Sequence, residues 1–463
     1  MAEISPQRVQ QFRQMRETAR EIFASALKNA SIESAFSRHL HCERGVLRIC
    51  EDLYDLDSYN RVLVVSIGKA AHTMAAALEA QVGSRLEGIV ATSVDPARLG
   101  QTGQVRGFRY FHGGHPTPTA ESIQAAEAIL KSLGSLDANS LVIFLLSGGG
   151  SSIVEKPIDA EISLPDLIAT YRALVHSGAP IAAINAIRKH LSAVKGGRLA
   201  HAAFPAQQVS VLVSDVPDAT PDALASGPTM PDSTSIHDCE RIAADYNLIA
   251  QFSASVADLF RQRALEETPK SDDPAFVRAR WWTVLSNKLA IDEAAIAATR
   301  AGFAVEVDNS CDDWDYEKAS DYLLMRLRDL RSKVSRVCLL SGGEVTVKVR
   351  NGGIGGRNQQ FALACAEKIA GEDITVLSAG TDGIDGNSPA AGAVADGSTL
   401  FRAELEAGLQ AGSPSKDPAA GVDAARQSLA SFNAFSYFDA LGDAILTGPT
   451  GNNLRDLRIL LAY

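Results

Sequence analysis

Two glycine-rich turns, each directly after an apolar stretch, carry the residues best suited to bind a ligand. The first glycine turn (residues 147–152) follows the apolar run 141–146 and consists of a serine, three glycines and two serines. The second glycine turn, Ser341-Gly-Gly-Glu344, follows residues 337–340. Glycines let backbone N–H groups approach an anion closely. Three consecutive glycines exceed what one tight turn needs, so we predict ligand contacts in the first turn from Ser147, Gly148, Gly149, Gly150 and Ser151.

A lysine stands where a helix N-terminus would bind an anion. Lys69 follows Ser66-Ile-Gly68, directly after the apolar stretch 61–67, and so lies in the first turn of a predicted helix. Helix N-termini favour anions, and a lysine adds a full positive charge there. A solvated surface lysine is the alternative interpretation.

Two further basic positions are candidates for the same anionic ligand. Arg357 and Asn358 open a predicted helix after a loop with four glycines among residues 352–356. A hairpin turn with Asn358 as helix cap is the alternative there. Lys195 belongs to the most basic stretch of the chain, residues 188–198, for which a solvated helix end is equally compatible.

Two acidic turns follow predicted strands and suggest a magnesium site. Asp215 lies in Ser-Asp-Val-Pro-Asp (214–218), and Asp382 and Asp385 lie in Gly-Thr-Asp-Gly-Ile-Asp-Gly (380–386). Mg²⁺ is usually held by one or two carboxylates together with water and substrate phosphates. Aspartate and glycine are also ordinary turn formers, so turn chemistry is the alternative.

The loop between residues 112 and 116 contains two histidines, His112 and His115, three positions apart. A third metal ligand is not apparent nearby in the sequence. We therefore expect these histidines to be structural or to contact substrate rather than to bind a metal.

Apolar runs alternate with helical patterns along the chain, which predicts an α/β fold with mostly parallel, doubly wound sheets. The predicted strands lie at 61–67, 87–92, 108–112, 141–146, 208–214, 282–286, 303–307, 337–340, 345–349 and 374–378. The polar, proline-containing segment 266–274 is the predicted linker. We accordingly predict two domains, residues 1–270 and residues 280–463.

The composition is that of an acidic globular protein. The chain has 463 residues, of which 46% are hydrophobic and 21% charged, and a net charge of −11. The charge argues against nucleic-acid or anionic-membrane partners, which need a basic face. Six scattered cysteines, no signal-like N-terminus and no apolar run of about 20 residues predict a cytoplasmic protein. A homo-oligomer remains open.

Together, these segments closely resemble the class II glycerate kinases, the glycerate 2-kinase family whose second half is called MOFRL. The resemblance extends in order over nearly the whole chain. Its clearest motifs are Ser66-Ile-Gly-Lys-Ala-Ala71, Gly113-Gly-His-Pro-Thr-Pro118, Leu145-Leu-Ser-Gly-Gly-Gly-Ser-Ser152, Arg188-Lys-His-Leu-Ser-Ala-Val-Lys-Gly-Gly-Arg198, Ser214-Asp-Val-Pro-Asp218, Ala225-Ser-Gly-Pro-Thr229, Leu340-Ser-Gly-Gly-Glu344, Gly355-Gly-Arg-Asn-Gln359, Gly380-Thr-Asp-Gly-Ile-Asp-Gly386 and Gly448-Pro-Thr-Gly-Asn-Asn453.

The resemblance implies two Rossmann-like α/β domains with the active site in the cleft between them. It implies Mg²⁺-dependent phosphoryl transfer from ATP to D-glycerate, giving 2-phosphoglycerate, with Lys69 and Arg357 at the family's catalytic positions. We expect Asp215 and Asp382 to hold Mg²⁺ and Asp385 to orient the attacking hydroxyl, while the first glycine turn, Lys195 and Asn358 bind ligand. The second glycine turn is expected to shape the opposite wall of the site.

Three alternatives remain at this point, and one of them is a sugar-acid-binding or regulatory protein that binds glycerate without consuming ATP. Some relatives are labelled hydroxypyruvate reductase, but no Gly-x-Gly-x-x-Gly follows a predicted strand, which argues against a dinucleotide-binding reductase. The residues also leave open whether the phosphoryl group goes to the 2-hydroxyl or the 3-hydroxyl.

Overall fold

The computed structural model describes residues 5–83, 86–95, 103–349, 352–410 and 419–463. The chain divides by its internal contacts into two compact units. The first unit is Ile32–Leu285, and the second combines the chain up to Ser31 with Ser286–Tyr463. Helix α1 (Pro6–Asn29) is therefore part of the second unit, although the predicted first domain, residues 1–270, would include it.

The polar segment 266–274, predicted as a linker, lies inside the first unit. Thr268 is buried and donates a hydrogen bond to Asp232 at 2.9 Å. Glu267 accepts from the Ile236 backbone N–H at 3.2 Å. The linker prediction is wrong because the polar side chains of this segment bond to the unit around them.

The first unit contains a six-stranded sheet, a small three-stranded sheet and nine α-helices within its described residues. The small antiparallel sheet consists of β1 (Leu40–Glu43), β2 (Val46–Ile49) and β3 (Asp52–Asp55). The large sheet consists of β4 (Arg61–Ile67), β5 (Glu87–Thr92), β6 (Phe108–His112), β7 (Ser140–Ser147), β8 (Gln207–Val213) and β9 (Ala279–Leu285). The helices are α2 (Ile32–His39), α3 (Ala71–Val82), α4 (Ala120–Leu133), α5 (Gly150–Ile153), α6 (Leu164–His176), α7 (Ile181–His190), α8 (Arg198–Ala203), α9 (Ile236–Asp245) and α10 (Ala254–Arg261).

The large sheet has the order β6-β5-β4-β7-β8-β9, and all its neighbouring strands are parallel. Every residue of the central strand β7 is buried, as expected for a strand covered on both faces. The carboxyl ends of parallel strands meet at one edge of a sheet. The turns that follow β4, β7 and β8 therefore lie together at that edge.

The second unit contains six strands and seven α-helices in its described part. Its strands are β10 (Ala304–Val307), β11 (Val337–Ser341), β12 (Ile374–Gly380), β13 (Gly392–Asp396), β14 (Ala444–Ile445) and β15 (Asp456–Ala462). Besides α1, its helices are α11 (Asn287–Arg300), α12 (Tyr316–Arg331), α13 (Arg357–Lys368), α14 (Thr399–Gln410), α15 (Ala419–Ala430) and α16 (Ala434–Ala440).

The second sheet has the order β10-β11-β15-β12-β13-β14 and is mixed. Only β10 and β11 are parallel, and the other neighbouring pairs are antiparallel. The prediction of two α/β units is confirmed, whereas the parallel strand order extends through the first sheet only. The final strand, β15, inserts between β11 and β12 and gives the second sheet its antiparallel character.

Helices cover both faces of the second sheet. Leu340 and Ile459 pack on one face with α1 and α11, through Phe23 among others, and Leu339 and Leu460 pack on the other face with α12 and α13. The predicted strand at 345–349 does not form, because this segment makes only an isolated bridge between Thr346 and Asp315. Among the described residues, no helix is long and apolar enough to span a bilayer.

Candidate functional site

In the first unit, Lys69 and the first glycine turn lie side by side at the carboxyl edge of the parallel sheet. The Lys69 backbone N–H donates to the Gly148 carbonyl at 2.9 Å, and the Ala70 N–H donates to the Ser147 hydroxyl at 3.1 Å. These bonds join the turn after β4 to the turn after β7. The structure thus brings together two features that are nearly 80 residues apart in the sequence.

The Lys69 side chain runs along the glycines of this turn. A Cβ atom placed on Gly149, whose φ is +82°, would lie 3.1 Å from Lys69 Cγ and 3.3 Å from His115 Nδ1. Lys69 is exposed, and no carboxylate or hydrogen-bond partner reaches its ammonium group among the residues that the structure describes. The ammonium is therefore available to an anionic ligand.

His115 lies beside Lys69 and the first glycine turn and forms one cluster with them. Its Nδ1 lies 3.1 Å from the Ser152 hydroxyl, at the end of the first glycine turn. Burial lowers the pKa of the His115 imidazole, and the nearby Lys69 ammonium lowers it further. His115 is therefore a neutral hydrogen-bonding group near pH 7.

Asp215 approaches the same turn from β8. A Cβ on Gly148 would lie only 1.8 Å from Asp215 Oδ2, so a side chain at position 148 would displace the carboxylate. In the described part of the chain, the backbone N–H groups of Gly148 and Gly149 have no protein acceptor. Free N–H donors, a free ammonium and a carboxylate are what a phosphate with a bound cation requires.

Lys195 is not part of this cluster's exposed surface. Its side chain is buried and forms an ion pair with the buried carboxylate of Glu155. Glu155 also accepts hydrogen bonds from Tyr171 at 2.7 Å and from Ser192 at 2.6 Å. Lys189, in the same basic stretch, is likewise buried and paired with Asp232 at 3.1 Å. The interpretation of residues 188–198 as a solvated helix end does not account for these two lysines, and the predicted ligand contact of Lys195 stays a prediction.

In the second unit, three predicted site residues line one cavity of about 530 Å³. Arg357, Asp382 and Asp385 all contribute to its wall. The glycine-rich loop before Arg357 and the apolar side chains of Ile384 and Phe432 complete it. The loop with Arg357, the acidic turn with Asp382 and Asp385, and Phe432 come from three separate segments of the sequence. The fold brings them together around one cavity.

Arg357 is held in place by two carboxylates. Its Nε and Nη2 donate to the two oxygens of Asp456 at 2.6 and 3.0 Å, and Nη2 lies 2.8 Å from Glu344 Oε1. Asp456 is buried, while Arg357 keeps about a third of its side chain exposed. The bidentate pair fixes the plane of the guanidinium at the cavity wall.

Asp385 caps the N-terminus of α13. Its carboxylate accepts from the backbone N–H groups of Asn358 at 3.1 Å and Gln359 at 2.9 Å, and from the Gln359 side-chain amide at 3.0 Å. Burial raises the pKa of Asp385 to about 7, against the lowering effect of these N–H donors. In this structure the carboxylate binds the first turn of α13, the helix that begins with Arg357. The predicted role in orienting a hydroxyl stays a prediction.

Asn358 is buried next to this cap. Its Oδ1 accepts a hydrogen bond from Ser378 at 2.6 Å, and its Nδ2 lies 3.4 Å from Asp385. Both ends of the amide are thus engaged within the unit. A direct contact of Asn358 with ligand stays a prediction.

The second glycine turn differs from the first because its backbone N–H groups already donate hydrogen bonds to side chains. The N–H groups of Gly342, Gly343 and Glu344 donate at 2.8, 3.0 and 2.9 Å to side-chain oxygens of the same unit. The acceptors are Asn309, Asn287 and Asp312, respectively. This turn therefore does not offer an N–H site for an anion, and it presents Glu344 to Arg357 instead.

Within the described residues, no group of three or more His, Cys, Asp or Glu side chains is arranged to hold a metal ion. Asp215 and Asp382 are both partly exposed carboxylates. Mg²⁺ commonly takes one or two protein carboxylates and completes its coordination with water and phosphate oxygens. Each of the two carboxylates has the chemistry for such a role, and neither belongs to an all-protein metal cage within the described residues.

Sequence reasoning did not identify Asp456 and Glu344 as partners of Arg357. Asp456 lies 99 positions away on the last strand, and nothing in the sequence near it suggests this pairing. The sequence indicated Glu344 only weakly as a possible site residue, because it is the last residue of the second glycine turn. From the sequence, His115 was expected only to be structural or to contact substrate.

The comparisons with known proteins agree with this architecture. A family described as "Domain of unknown function (DUF4147)" matches residues 18–261, and the MOFRL family matches residues 337–456. The solved structure of a glycerate kinase from Thermotoga maritima superposes with a TM-score of 0.80 and 32% sequence identity. That match covers 97% of this chain and 100% of the other.

Similar proteins from other organisms extend the same picture. The chain is 34% identical to D-glycerate 2-kinase of Thermotoga maritima, over 86% of this chain and 90% of the relative. It is also 36% identical, over 87% of both chains, to a protein of Agrobacterium vitis that carries the provisional name hydroxypyruvate reductase. The chain belongs to the family of glycerate kinases that combine a DUF4147 domain with a MOFRL domain.

Proposed function

We propose that this protein is a glycerate 2-kinase, which transfers a phosphoryl group from ATP to the 2-hydroxyl of D-glycerate. The observation that carries the proposal is the Lys69 ammonium beside the first glycine turn, which has no partner among the described residues, in a chain of the glycerate kinase family. Phosphoryl transfer needs little covalent chemistry from the protein and depends on positioning and on positive charge. Lys69 and the Gly148 and Gly149 N–H groups supply both.

The cavity of the second unit supports the proposal independently. Arg357 presents a permanent positive charge to a space of about 530 Å³. Its bidentate bond to Asp456 holds the guanidinium rigidly, so little reorganisation is needed when negative charge develops nearby. Arginine suits a phosphoryl group because its planar donors match phosphate oxygens.

Mg²⁺ belongs to this proposal as the metal that accompanies ATP. Asp215 and Asp382 would hold it, each through carboxylate oxygen, with nucleotide oxygens and water as the remaining ligands. When bound, the metal neutralises charge on the phosphate groups. The acidic residues themselves would act by holding and orienting the metal–nucleotide complex.

The name of the Agrobacterium vitis relative makes a hydroxypyruvate reductase the second candidate. A reductase needs a dinucleotide site, and the turn after β4 lacks the Gly-x-Gly-x-x-Gly fingerprint of that site. In the described structure the edge of the first sheet instead carries a lysine and a triple-glycine turn. The kinase therefore accounts better for the residues present.

One coupled assay separates these functions. Purified protein is incubated with ATP, Mg²⁺ and D-glycerate, and the product is offered to enolase with and without phosphoglycerate mutase. Direct enolase turnover identifies 2-phosphoglycerate, whereas turnover only with mutase identifies 3-phosphoglycerate and a 3-kinase. Failure to form ADP, together with oxidation of NAD(P)H by hydroxypyruvate, would replace the kinase with the reductase.

A further inference from the structure

A strained loop lies against the first glycine turn. Residues 225–227, Ala-Ser-Gly, all have left-handed backbone angles, with φ of +51°, +62° and +60°. Alanine and serine rarely adopt this conformation, and two such residues in succession are unusual. Backbone strain of this kind persists only where the surrounding structure imposes it, and it concentrates at functional sites.

Backbone hydrogen bonds and close packing hold the loop in this shape. The Gly196 N–H donates to the Ser226 carbonyl at 3.0 Å, and the Gly197 N–H donates to the Gly227 carbonyl at 2.8 Å. Ala225 packs so closely on the first glycine turn that a Cβ on Gly150 would lie 2.6 Å from the Ala225 Cβ. The loop is thus fixed to the turn.

The strained conformation directs the Ser226 hydroxyl at the turn. Ser226 Oγ lies 2.8 Å from Ser151 Oγ, and Ser226 is only 1% exposed. Only one of two hydroxyls in such a pair can donate to the other. An anionic ligand accepts hydrogen bonds and cannot donate them. The Ser151 hydroxyl can therefore donate to such a ligand only when Ser226 is the donor within the serine pair.

We propose that Ser226 is a positioning residue for the ligand at the first glycine turn: it donates to Ser151 and thereby directs the Ser151 hydroxyl proton toward the ligand's anionic group. The inference rests on the proposed function and adds a residue to that site. Because Ser226 is 1% exposed and its hydroxyl pairs with Ser151, the role assigned to it acts through Ser151.

Two variants separate the hydroxyl from the backbone strain. Both Ser226→Ala and Ser226→Gly remove the hydroxyl, but only glycine relaxes the left-handed backbone. We expect both to raise the KM for the same one of the two substrates, ATP or D-glycerate, by about 3- to 10-fold, the range of one hydrogen bond. Ser226→Gly should unfold at a higher temperature than Ser226→Ala.

A double variant tests whether Ser226 acts through Ser151. Once Ser151→Ala is present, adding Ser226→Ala should change the KM by less than 2-fold, because the group it orients is gone. Ser210→Ala is the matched control, since Ser210 also forms a buried hydroxyl pair, with Thr229 at 2.9 Å. That control should shift the unfolding temperature and leave both KM values within 2-fold.

Binding titrations keep this inference separate from the proposed function. ATP and D-glycerate are titrated calorimetrically into the wild type and Ser226→Ala without turnover. Weaker binding of one ligand supports the role of Ser226 even if the wild type fails to phosphorylate glycerate, a result that would overturn the kinase alone. Unchanged affinity for both ligands, or fully multiplicative effects in the double variant, would overturn the role of Ser226.

Discussion

Arg357 donates one hydrogen bond to each carboxylate oxygen of Asp456, from Nε at 2.6 Å and from Nη2 at 3.0 Å. The pair joins the first residue of α13 to the first residue of β15, so that the last strand of the chain orients the arginine. Glu344 adds a contact to the same guanidinium at 2.8 Å. The position of this arginine thus depends on residues that are distant in the sequence.

Asp456→Asn should disturb Arg357 without removing its charge. The amide can accept only one of the two hydrogen bonds, and the loss of a largely buried charge partner costs about 3 kcal/mol, the lower end of the range for such pairs. We expect lower turnover together with a lower free energy of unfolding, measured by denaturant titration. Turnover equal to wild type would show that the orientation of Arg357 does not limit the reaction.

Lys69→Ala should lower turnover far more than stability, whereas Arg357→Ala should lower both, because it also leaves the buried Asp456 carboxylate without its cation. Removal of one preorganised donor to developing negative charge typically costs about 10²- to 10³-fold in kcat. Lys131→Ala, in the last turn of α4 and exposed, is the matched control and should leave kcat unchanged. Steady-state kinetics measures the turnover of each variant, and thermal unfolding measures its stability. Near-normal kcat in both site variants would refute their proposed roles.

Lys69 should also control the titration of His115. The Lys69 ammonium helps to lower the His115 pKa, so Lys69→Met should raise that pKa toward its usual value. NMR titration of the histidine signals, with His115→Ala for assignment, measures the change, and Lys131→Met is the control. A pKa unaffected by Lys69→Met would show that the ammonium does not act on this ring.

The lowered pKa of His115 also makes the stability of the folded protein depend on pH. Since the folded pKa of His115 lies below the unfolded value near 6.5, the unfolded chain binds the proton more readily. The contribution of His115 to stability is therefore present above about pH 6.5 and is lost as the pH falls through the folded pKa. His115→Ala should reduce this part of the acid sensitivity.

Lys195→Met tests whether Lys195 is a structural residue or a ligand contact. Removing the ammonium leaves the buried Glu155 carboxylate without its cation, so we expect a loss of about 3–5 kcal/mol in the free energy of unfolding. A second change, Glu155→Gln, should recover part of that loss. A large rise in the KM for ATP with unchanged stability would instead establish Lys195 as a ligand contact.

The N-terminal helix should stabilise the second unit. Phe23 on α1 is 2% exposed and packs with core residues of that unit, so Phe23→Ala should cost about 3–5 kcal/mol. Val9→Ala is the control, because Val9 lies on the same helix and is 44% exposed. Denaturant unfolding of the two variants gives the comparison, and equal stabilities would show that α1 contributes little to the unit.

Much of the architecture follows from sequence patterns because those patterns are local. Buried parallel strands require continuous apolar runs, so β4, β7 and β8 were recognisable, and with them the turns that carry Lys69 and Asp215. The strand predicted at 345–349 failed for a related reason: an apolar alternation is not sufficient without a neighbouring strand to supply hydrogen bonds. The pattern also could not show that β15 would insert antiparallel to both its neighbours.

By itself, the sequence determined the family, the α/β class and the short motifs that contain Lys69, Arg357, Asp215 and Asp382, because each motif is a contiguous piece of chain. Only the tertiary structure decided which charges are free. Lys69 is unpartnered among the described residues, whereas Lys195 in an equally basic motif is paired with Glu155, and the donors of the second glycine turn are occupied. Whether a charged group can meet a ligand depends on burial and on partners distant in the chain, and the spacing of residues does not record either.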